Sequence, residues 1–477
     1  MVHKQQESLH NKKILVTGAN GFIGSNLVRY LNRILGPEGS RYCLFLIGGR
    51  RSPKHMYPLL GCNYREYYEY DNLLDDPDHI GKIVHHIQPD IVIHLGSDPR
   101  TGIPEDGDAQ YRKNEKFALD LFRAFKHERL DIGQRSVFIN ASSAAIYGNN
   151  FNEDHMINVE EDRPNPLNTY AHYKRRVEQG LFDTLKMRGQ TPVEHKNSPL
   201  VFNLRLFNVY GQGELYKYIE GKGSSYVGSA VGRFITKLEA AMKVSSGEPY
   251  TLHPSYAPLY KKLTSLHSPD PEYMDALPRI CTASPIWSPE EMARDWIYVN
   301  DVVGYITMFA STVSSSLSFT QDTLEHTIYN VGSGKAMSWV DVAEGTREGI
   351  QDAIIQYADT LGINIEKKEY LSGRRAHQPI GHNMTKALER LMSQYVAYEH
   401  DDKEGRRIPA LLDKQGSSIN WNTYQYFTRA DMMKTNALKT DMGHNFSLTP
   451  LRRGVWETLG FTLNNFGNPL RKSYDRK

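Results

Sequence analysis

The segment that follows the first polar residues restricts the fold more than any other part of this chain. Residues 13–17 form a short apolar run rich in β-branched side chains, as in a strand buried on both faces. Gly18, Gly21 and Gly24 follow at intervals of three, and apolar residues then recur at helical spacing over residues 22–34. A strand, a glycine turn and an amphipathic helix in this order predict the first unit of a parallel α/β sheet.

The rest of the chain repeats this alternation. Strand-like runs occur at 43–47, 90–95, 136–139 and 201–206, with helical patterns at 78–87, 114–125 and 170–186, and periodic patterns return at 295–309 and 328–342. Strands that alternate with helices predict an α/β fold with a doubly wound parallel sheet.

The domain organisation is predicted from where this alternation stops. We expect a polar tail at 1–12, a cofactor-binding domain at 13–213 with returning segments near 295–335, and a smaller discontinuous C-terminal substrate lobe built from 214–290 and 336–477. Seven prolines between Pro254 and Pro289 exclude long regular elements there. We therefore interpret about 214–290, and a polar stretch at about 376–428, as insertions.

Composition excludes several classes of protein. The chain has 477 residues, with 57 basic and 55 acidic side chains, so the net charge of +2 gives no field that would hold it on nucleic acid or an anionic membrane. Cys43, Cys62 and Cys281 are too few and too scattered for a disulfide framework or a metal site. No apolar run approaches the roughly 18 residues of a membrane helix, and the polar first ten residues lack the apolar part of a secretory signal. A cytoplasmic protein without a metal is expected.

The glycine turn predicts a dinucleotide site. Glycine lets a pyrophosphate approach the backbone, and the N-terminus of the following helix offers oriented N–H groups to the anion. The predicted contacts are Gly18, Asn20, Gly21, Phe22, Ile23 and Gly24.

The second strand bears on which dinucleotide binds. An NAD site usually has an acidic residue near the end of this strand, where it binds the adenosine ribose. Residues 39–65 contain no Asp or Glu, whereas Arg50 and Arg51 follow the strand and would suit a 2′-phosphate. NADP is therefore favoured, with NAD as the alternative; the two arginines would otherwise be a solvated loop pair.

A second group of residues predicts acid–base chemistry. Ser143 follows a strand, and Tyr170 and Lys174 come 27 and 31 residues later. Side chains four apart lie on one face of a helix, so the ammonium can lower the pKa of the phenol and make it a base near neutral pH. The order of glycine turn, strand-end serine and YxxxK carries this prediction, because YxxxK alone is common.

With these motifs the chain resembles the extended short-chain dehydrogenase/reductase family, in the branch of nucleotide-sugar epimerases and dehydratases. Further segments that resemble the family are 71–73, 94–97, 205–211, 294–301, 329–334 and 430–454. The resemblance implies a Rossmann-type fold. It also implies a homodimer formed through the helices at 114–125 and 170–186.

The resemblance implies a role for each matching residue. Tyr170 would be the acid/base, Lys174 would tune it and hold the nicotinamide ribose, and Ser143 would orient the reacting hydroxyl. The adenine segment would be Asp71, Asn72 and Leu73, the fourth-strand segment Leu95 and Gly96, and the substrate residues Ser143, Asn208, Arg294 and Arg375. Arg375 is ranked before Arg374 and Arg429 as the second phosphate contact.

One departure from the family pattern bears on the reaction. The 4,6-dehydratases of the family have an Asp-Glu pair where this chain has Ala144 and Ala145, and a methyl group transfers no proton. We therefore expect an NAD(P)-dependent epimerase of a nucleotide-activated sugar that works by transient oxidation. The alternatives are an NADPH-dependent reductase of a keto-sugar or other carbonyl, a sugar-acid decarboxylase, and a non-catalytic dinucleotide-binding scaffold.

Overall fold

The structure is a computed structural model that describes residues 2–49, 59–70, 77–97, 108–130, 134–148, 157–186, 198–213, 293–338, 399–401, 406–408 and 428–466, with positions 341, 342, 345, 348, 349 and 352. The chain divides into two compact units. Unit 1 consists of Met1–Val209, Asp295–Ala336 and Phe427–Leu448; unit 2 consists of Tyr210–Arg294, Met337–Tyr426 and Thr449–Lys477.

The strands of the described residues form three sheets. They are β1 Ile14–Thr17, β2 Leu44–Gly48, β3 Glu66–Glu69, β4 Ile91–His94, β5 Val137–Ser143, β6 Leu200–Leu206, β7 Asn208–Tyr210, β8 Ala293–Tyr298, β9 Ile328–Val331, β10 Ala336–Ser338, β11 Glu399–Asp401 and β12 Arg406–Ile408. Within the described residues, seven strands pair in the order β3-β2-β1-β4-β5-β6-β9, and every pair is parallel. The predicted doubly wound α/β sheet is confirmed. A second sheet has the order β10-β8-β7, and β11 pairs antiparallel with β12.

The α-helices within the described residues are α1 Val2–Leu9, α2 Phe22–Cys43, α3 Pro77–Ile87, α4 Asp108–Leu130, α5 Thr169–Leu185, α6 Val299–Ser311, α7 Met433–Asp441 and α8 Leu451–Phe466. None of the described helices is long and apolar enough to cross a membrane.

Three helices differ from the sequence prediction. Helix α2 extends beyond the predicted 22–34 and continues to Cys43 through a kink, where Gly36 adopts a positive φ of 73°. Helix α4 extends beyond the predicted 114–125 at both ends. Helix α1 lies in the segment predicted as a polar tail, and its Leu9 is fully buried although the segment as a whole is polar.

The large sheet has an apolar cluster on each face, because successive side chains of a strand point to opposite sides. Ile14 and Val16 of β1 belong to the cluster that contains Leu27 of α2, whereas Leu15 belongs to the cluster that contains Phe122 of α4. Since the strands are parallel, their carboxyl ends lie at one edge of the sheet. The turns that follow β1, β4 and β5 meet at that edge, which is where open α/β sheets bind ligands.

Candidate active site

The turn after β1 requires glycine at two positions. Gly18 has φ +68°, and a Cβ atom there would lie 2.8 Å from the backbone nitrogen of Gly96. A Cβ atom on Gly24 would lie 2.1 Å from the carbonyl oxygen of Gly18, to which the Gly21 N–H donates at 2.9 Å. Helix α2 therefore begins close against the turn with Phe22 and Ile23, both half-buried. The bare backbone at a helix N-terminus fits the pyrophosphate of a dinucleotide.

The turn is also tied to β4. The backbone N–H of Gly96 donates to Thr17 Oγ1 at 3.1 Å, and Thr17 Oγ1 lies 2.8 Å from Nδ1 of His94. His94 is 2% exposed, and burial lowers the pKa of its imidazole to about 3, so the ring is neutral at pH 7. The Thr17 hydroxyl therefore accepts from the Gly96 N–H and shares a second hydrogen bond with Nδ1 of the neutral His94 ring. This hydrogen bond was not found from the sequence, because it depends on β1 lying beside β4.

A side chain at the end of β2 would meet the polar ends of two other side chains. A Cβ atom on Gly48 would lie 2.4 Å from the Tyr67 hydroxyl and 2.7 Å from Asn20 Oδ1. Asn20 Oδ1 accepts from the Gly49 N–H at 3.0 Å, and the Tyr67 hydroxyl donates to the Gly49 carbonyl. Tyr67 and Asn20 thus occupy the space beside Gly48, at the strand end where NAD sites usually have an acidic side chain.

Helix α5 brings Tyr170 and Lys174 to the end of β5. Asn168 caps the helix with its side-chain oxygen, which accepts from the Ala171 N–H at 2.9 Å. Lys174 is 4% exposed, its Nζ donates to the Ala141 carbonyl at 2.6 Å, and Nζ lies 5.8 Å from the centroid of the Tyr170 ring. Burial lowers the pKa of Lys174 to about 8, against the opposing effect of the nearby Glu178 carboxylate. An ammonium near a phenol favours the phenolate.

The two serines at the end of β5 have different surroundings. Ser143 is half-buried, and its Oγ accepts from the Ala145 N–H at 3.2 Å, capping the short 3₁₀ turn Ala144–Tyr147. Ser142 is 3% exposed, and its hydroxyl donates to Glu178 Oε1 at 2.5 Å. The Ser142 side chain is therefore hydrogen-bonded to helix α5, in which Glu178 lies.

The predicted substrate residue Asn208 binds other parts of unit 1. Its Nδ2 donates to the Asp295 carbonyl at 2.9 Å and to Thr428 Oγ1 at 3.2 Å. The fully buried Asp295 carboxylate accepts backbone N–H groups from Ser333, Gly334 and Ala430. Burial raises the pKa of Asp295, and these hydrogen bonds oppose the rise.

The remaining predicted site residues fall into two groups. Leu95 and Gly96 lie directly after β4 and are half-buried, and Arg294 lies in β8. Arg429, one of the late arginines, donates from Nε to the Gly334 carbonyl at 3.2 Å. The first insertion and most of the second lie outside the described part of the chain. The other predicted site residues also lie outside it: Arg50, Arg51, Asp71, Asn72, Leu73, Arg374 and Arg375.

This fold and site define the class: an extended short-chain dehydrogenase/reductase with a nicotinamide-dinucleotide site. The model of the NAD dependent epimerase/dehydratase family matches residues 14–251, and the chain belongs to this family of enzymes.

Curated relatives carry epimerase names. An ADP-L-glycero-D-manno-heptose-6-epimerase from Brachyspira hyodysenteriae is 26% identical over 348 residues, which cover 72% of this chain and 83% of the relative. The enzyme of the same name from Cupriavidus pinatubonensis is 32% identical over 206 residues, covering 43% of this chain and 53% of that protein. The second match thus spans about half of the relative's length.

Solved structures show the same fold. UDP-glucose 4-epimerase from Bifidobacterium longum, in complex with NAD+ and UDP, has a TM-score of 0.54 at 17% identity, and the match covers 96% of this chain and 100% of that one. A variant of UDP-glucuronic acid 4-epimerase from Bacillus cereus has a TM-score of 0.51 at 19% identity, covering 94% of this chain and 98% of that one.

The buried lysine predicts a pH dependence of stability. The folded pKa of Lys174, about 8, lies below the ordinary lysine value of 10.5, so between these values the unfolded chain binds more protons than the folded one. Stability therefore rises with pH in this window, and we expect the free energy of unfolding to gain about 1 kcal/mol between pH 8 and pH 9 relative to Lys174→Met. Urea unfolding at both pH values measures the gain. Equal gains in both proteins would contradict the prediction.

Proposed function

We propose that this protein is an epimerase of a nucleotide-activated sugar that works by transient oxidation of a sugar carbon. The observation that carries the proposal is the buried Lys174 ammonium, bonded to Ala141 at the end of β5 and 5.8 Å from the ring of Tyr170. The charge favours the phenolate form of Tyr170. Ser143 follows Ala141 by two residues and supplies a hydroxyl at the same strand end.

In the proposed reaction Tyr170 removes the proton of one sugar hydroxyl, and Ser143 orients that hydroxyl. The bound dinucleotide would supply the redox chemistry, by accepting a hydride from the sugar carbon and returning it to the opposite face. Tyr170 then gives the proton back to the oxygen. Each cycle ends with the cofactor in its starting state, so the reaction is redox-neutral.

For the cofactor we propose NADP in preference to NAD. The end of β2 has no acidic residue to bind the adenosine ribose, and Tyr67 and Asn20 occupy the space beside Gly48. Arg50 and Arg51 follow directly in sequence and would pair with a 2′-phosphate.

For the substrate we propose a nucleoside diphosphate sugar, since the curated relatives are named as ADP-heptose epimerases. Asn208, Arg294 and Arg375 are proposed to bind its nucleotide part, so that binding energy away from the reacting carbon fixes the sugar. Ala144 and Ala145 argue against a dehydratase.

We further propose a cytoplasmic homodimer that pairs through α4 and α5; a monomer at micromolar concentration in light scattering would contradict the dimer.

The main rival is an NADPH-consuming reductase, which the same three residues would serve. We expect the freshly purified protein, when denatured, to release near-stoichiometric nicotinamide dinucleotide, detected by mass spectrometry. We also expect it to interconvert a nucleotide sugar, from a panel of ADP- and UDP-sugars followed by NMR, with no net change in absorbance at 340 nm. An empty protein that oxidises NADPH stoichiometrically with a keto substrate would instead establish the reductase.

A further inference from the structure

Helix α5 has three functional groups on one face, and the proposed function uses only two of them. Tyr170, Lys174 and Glu178 follow at intervals of four residues, which aligns their side chains along the helix. Glu178 is 1% exposed. A carboxylate buried this deeply requires charged or hydrogen-bonding partners, because burial removes it from water.

The partners of Glu178 come from two strands. Arg205 of β6, also 1% exposed, donates to Glu178 with Nε at 3.1 Å and with a terminal nitrogen at 2.9 Å. Ser142 of β5 donates its hydroxyl to Oε1 at 2.5 Å. A bidentate guanidinium–carboxylate contact fixes the orientation of the carboxylate as well as its position. Glu178 therefore links α5 to both β5 and β6.

This link acts on the same stretch of β5 as the site residues. The Ala141 carbonyl accepts from Lys174, the next residue, Ser142, donates to Glu178, and the residue after that is Ser143. Two adjacent residues of β5 are thus held by two side chains one helical turn apart on α5. The relative position of Ser143 and helix α5 depends on both contacts.

The groups around Lys174 show what the carboxylate does electrostatically. His94 of β4 is buried and neutral, and the rings of Tyr170 and Tyr173 lie 5.8 and 5.4 Å from Nζ. Tyr111 of α4 stacks on Tyr173 at 5.3 Å between centroids. The Glu178 carboxylate, which is paired with Arg205, is a charged group that acts on Lys174. Burial opposes the ammonium form of Lys174, and the Glu178 carboxylate favours it.

We propose that Glu178 is a positioning residue of this site: held by Arg205 and Ser142, its carboxylate fixes α5 against the end of β5 and keeps the Lys174 ammonium charged. The inference rests on the proposed function, in which Lys174 and Tyr170 act together. It adds a group that touches neither substrate nor cofactor and acts through Lys174 and Ser142.

The test replaces Glu178 by glutamine, which keeps the size and the acceptor for Ser142 but removes the charge. The titration of Lys174 is followed by NMR of protein labelled with ¹³C-lysine, with Lys174→Arg to assign the signal. We expect the midpoint to fall by about 1 pH unit. In the turnover assay we expect kcat to fall about fivefold at pH 8, as the charged fraction of Lys174 falls, with an alkaline limb moved to lower pH and KM changed less than about twofold.

Asp90→Asn is the matched control. It breaks another carboxylate–guanidinium pair of unit 1, between Asp90 Oδ1 and Arg129 at 2.9 Å, at the amino end of β4 and away from the site. If Glu178→Gln does not fold because Arg205 loses its counterion, Glu178→Gln/Arg205→Met leaves no unpaired charge and is titrated in the same way. A lowered Lys174 midpoint in a Glu178 variant, with the wild-type midpoint in Asp90→Asn, would establish the role.

A Lys174 midpoint that is the same in the folded Glu178 variant and in Asp90→Asn would overturn it. The titration needs no substrate, so its outcome is independent of whether a nucleotide sugar is turned over. Absence of turnover by the unsubstituted protein counts against the proposed function alone.

Discussion

Tyr170→Phe should lower the turnover number at least about 100-fold, the order expected for removing a general acid/base. The phenyl ring retains the packing near Lys174 and Tyr111. The centroid of the Tyr170 ring lies 5.8 Å from Lys174 Nζ and 6.3 Å from the centroid of the Tyr111 ring. Only the group that exchanges a proton with the sugar is lost. Steady-state kinetics with the sugar identified by the panel measure the change.

The control for this substitution is on the same helix. His172 is exposed and lies between Tyr170 and Lys174 in sequence, so His172→Ala should change turnover less than about twofold, as for a surface substitution. Dinucleotide release should be the same for Tyr170→Phe as for the unsubstituted protein. Full turnover by Tyr170→Phe would remove the acid/base role and favour the non-catalytic scaffold.

Gly24→Ala should both destabilise the protein and abolish dinucleotide binding. The new Cβ atom would lie 2.1 Å from the Gly18 carbonyl oxygen and 3.0 Å from Ala19 Cα, so the turn and the start of α2 must separate. Overpacking of backbone against backbone costs about 3 kcal/mol. Urea unfolding gives the loss of stability, and calorimetric titration with NADP and NAD gives the loss of affinity.

Gly81→Ala is the matched control, because Gly81 lies in helix α3 and a Cβ atom added there would contact no described atom within 4 Å apart from its chain neighbours and the nearby backbone of the same helix. There the same substitution should stabilise the protein by up to about 1 kcal/mol, the difference in helix propensity between glycine and alanine. Dinucleotide affinity should stay unchanged. If Gly24→Ala were to behave like Gly81→Ala, the close approach of α2 to the turn would be wrong.

Much of the fold was predictable from local patterns, and the exceptions have physical reasons. The runs at 13–17, 43–47, 90–95 and 201–206 became strands because they are buried on both faces of the sheet. Strand β3 was not predicted: its sequence is Glu-Tyr-Tyr-Glu, and an edge strand of the sheet accepts polar side chains. Helix α1 was missed because a few buried contacts suffice to hold a mostly polar helix.

The candidate site divides in the same way. The contact of Lys174 with Tyr170 was predictable because four residues make about one helical turn. The place of Gly24 in the glycine turn was predictable because the turn motif is contiguous in sequence. Glu178 could have been suggested by its place four residues after Lys174, and Asn168 by the N-cap rule. The pairing of Glu178 with Arg205 could not be predicted, because Arg205 is 27 residues away in sequence and lies beside Glu178 only through the order of the strands.

Local sequence patterns were enough to predict the alternation of strands and helices, the glycine turn and the face of α5 that bears Tyr170 and Lys174, since each depends on neighbours within one or two turns. Which side chains become buried together depends instead on how distant strands pair. Parallel pairing of β1 with β4 makes His94 neutral beside Thr17, and pairing of β5 with β6 brings Arg205 and Ser142 to Glu178. Burial and ion pairing arise between distant segments, and these set the charge of the groups that would do the chemistry.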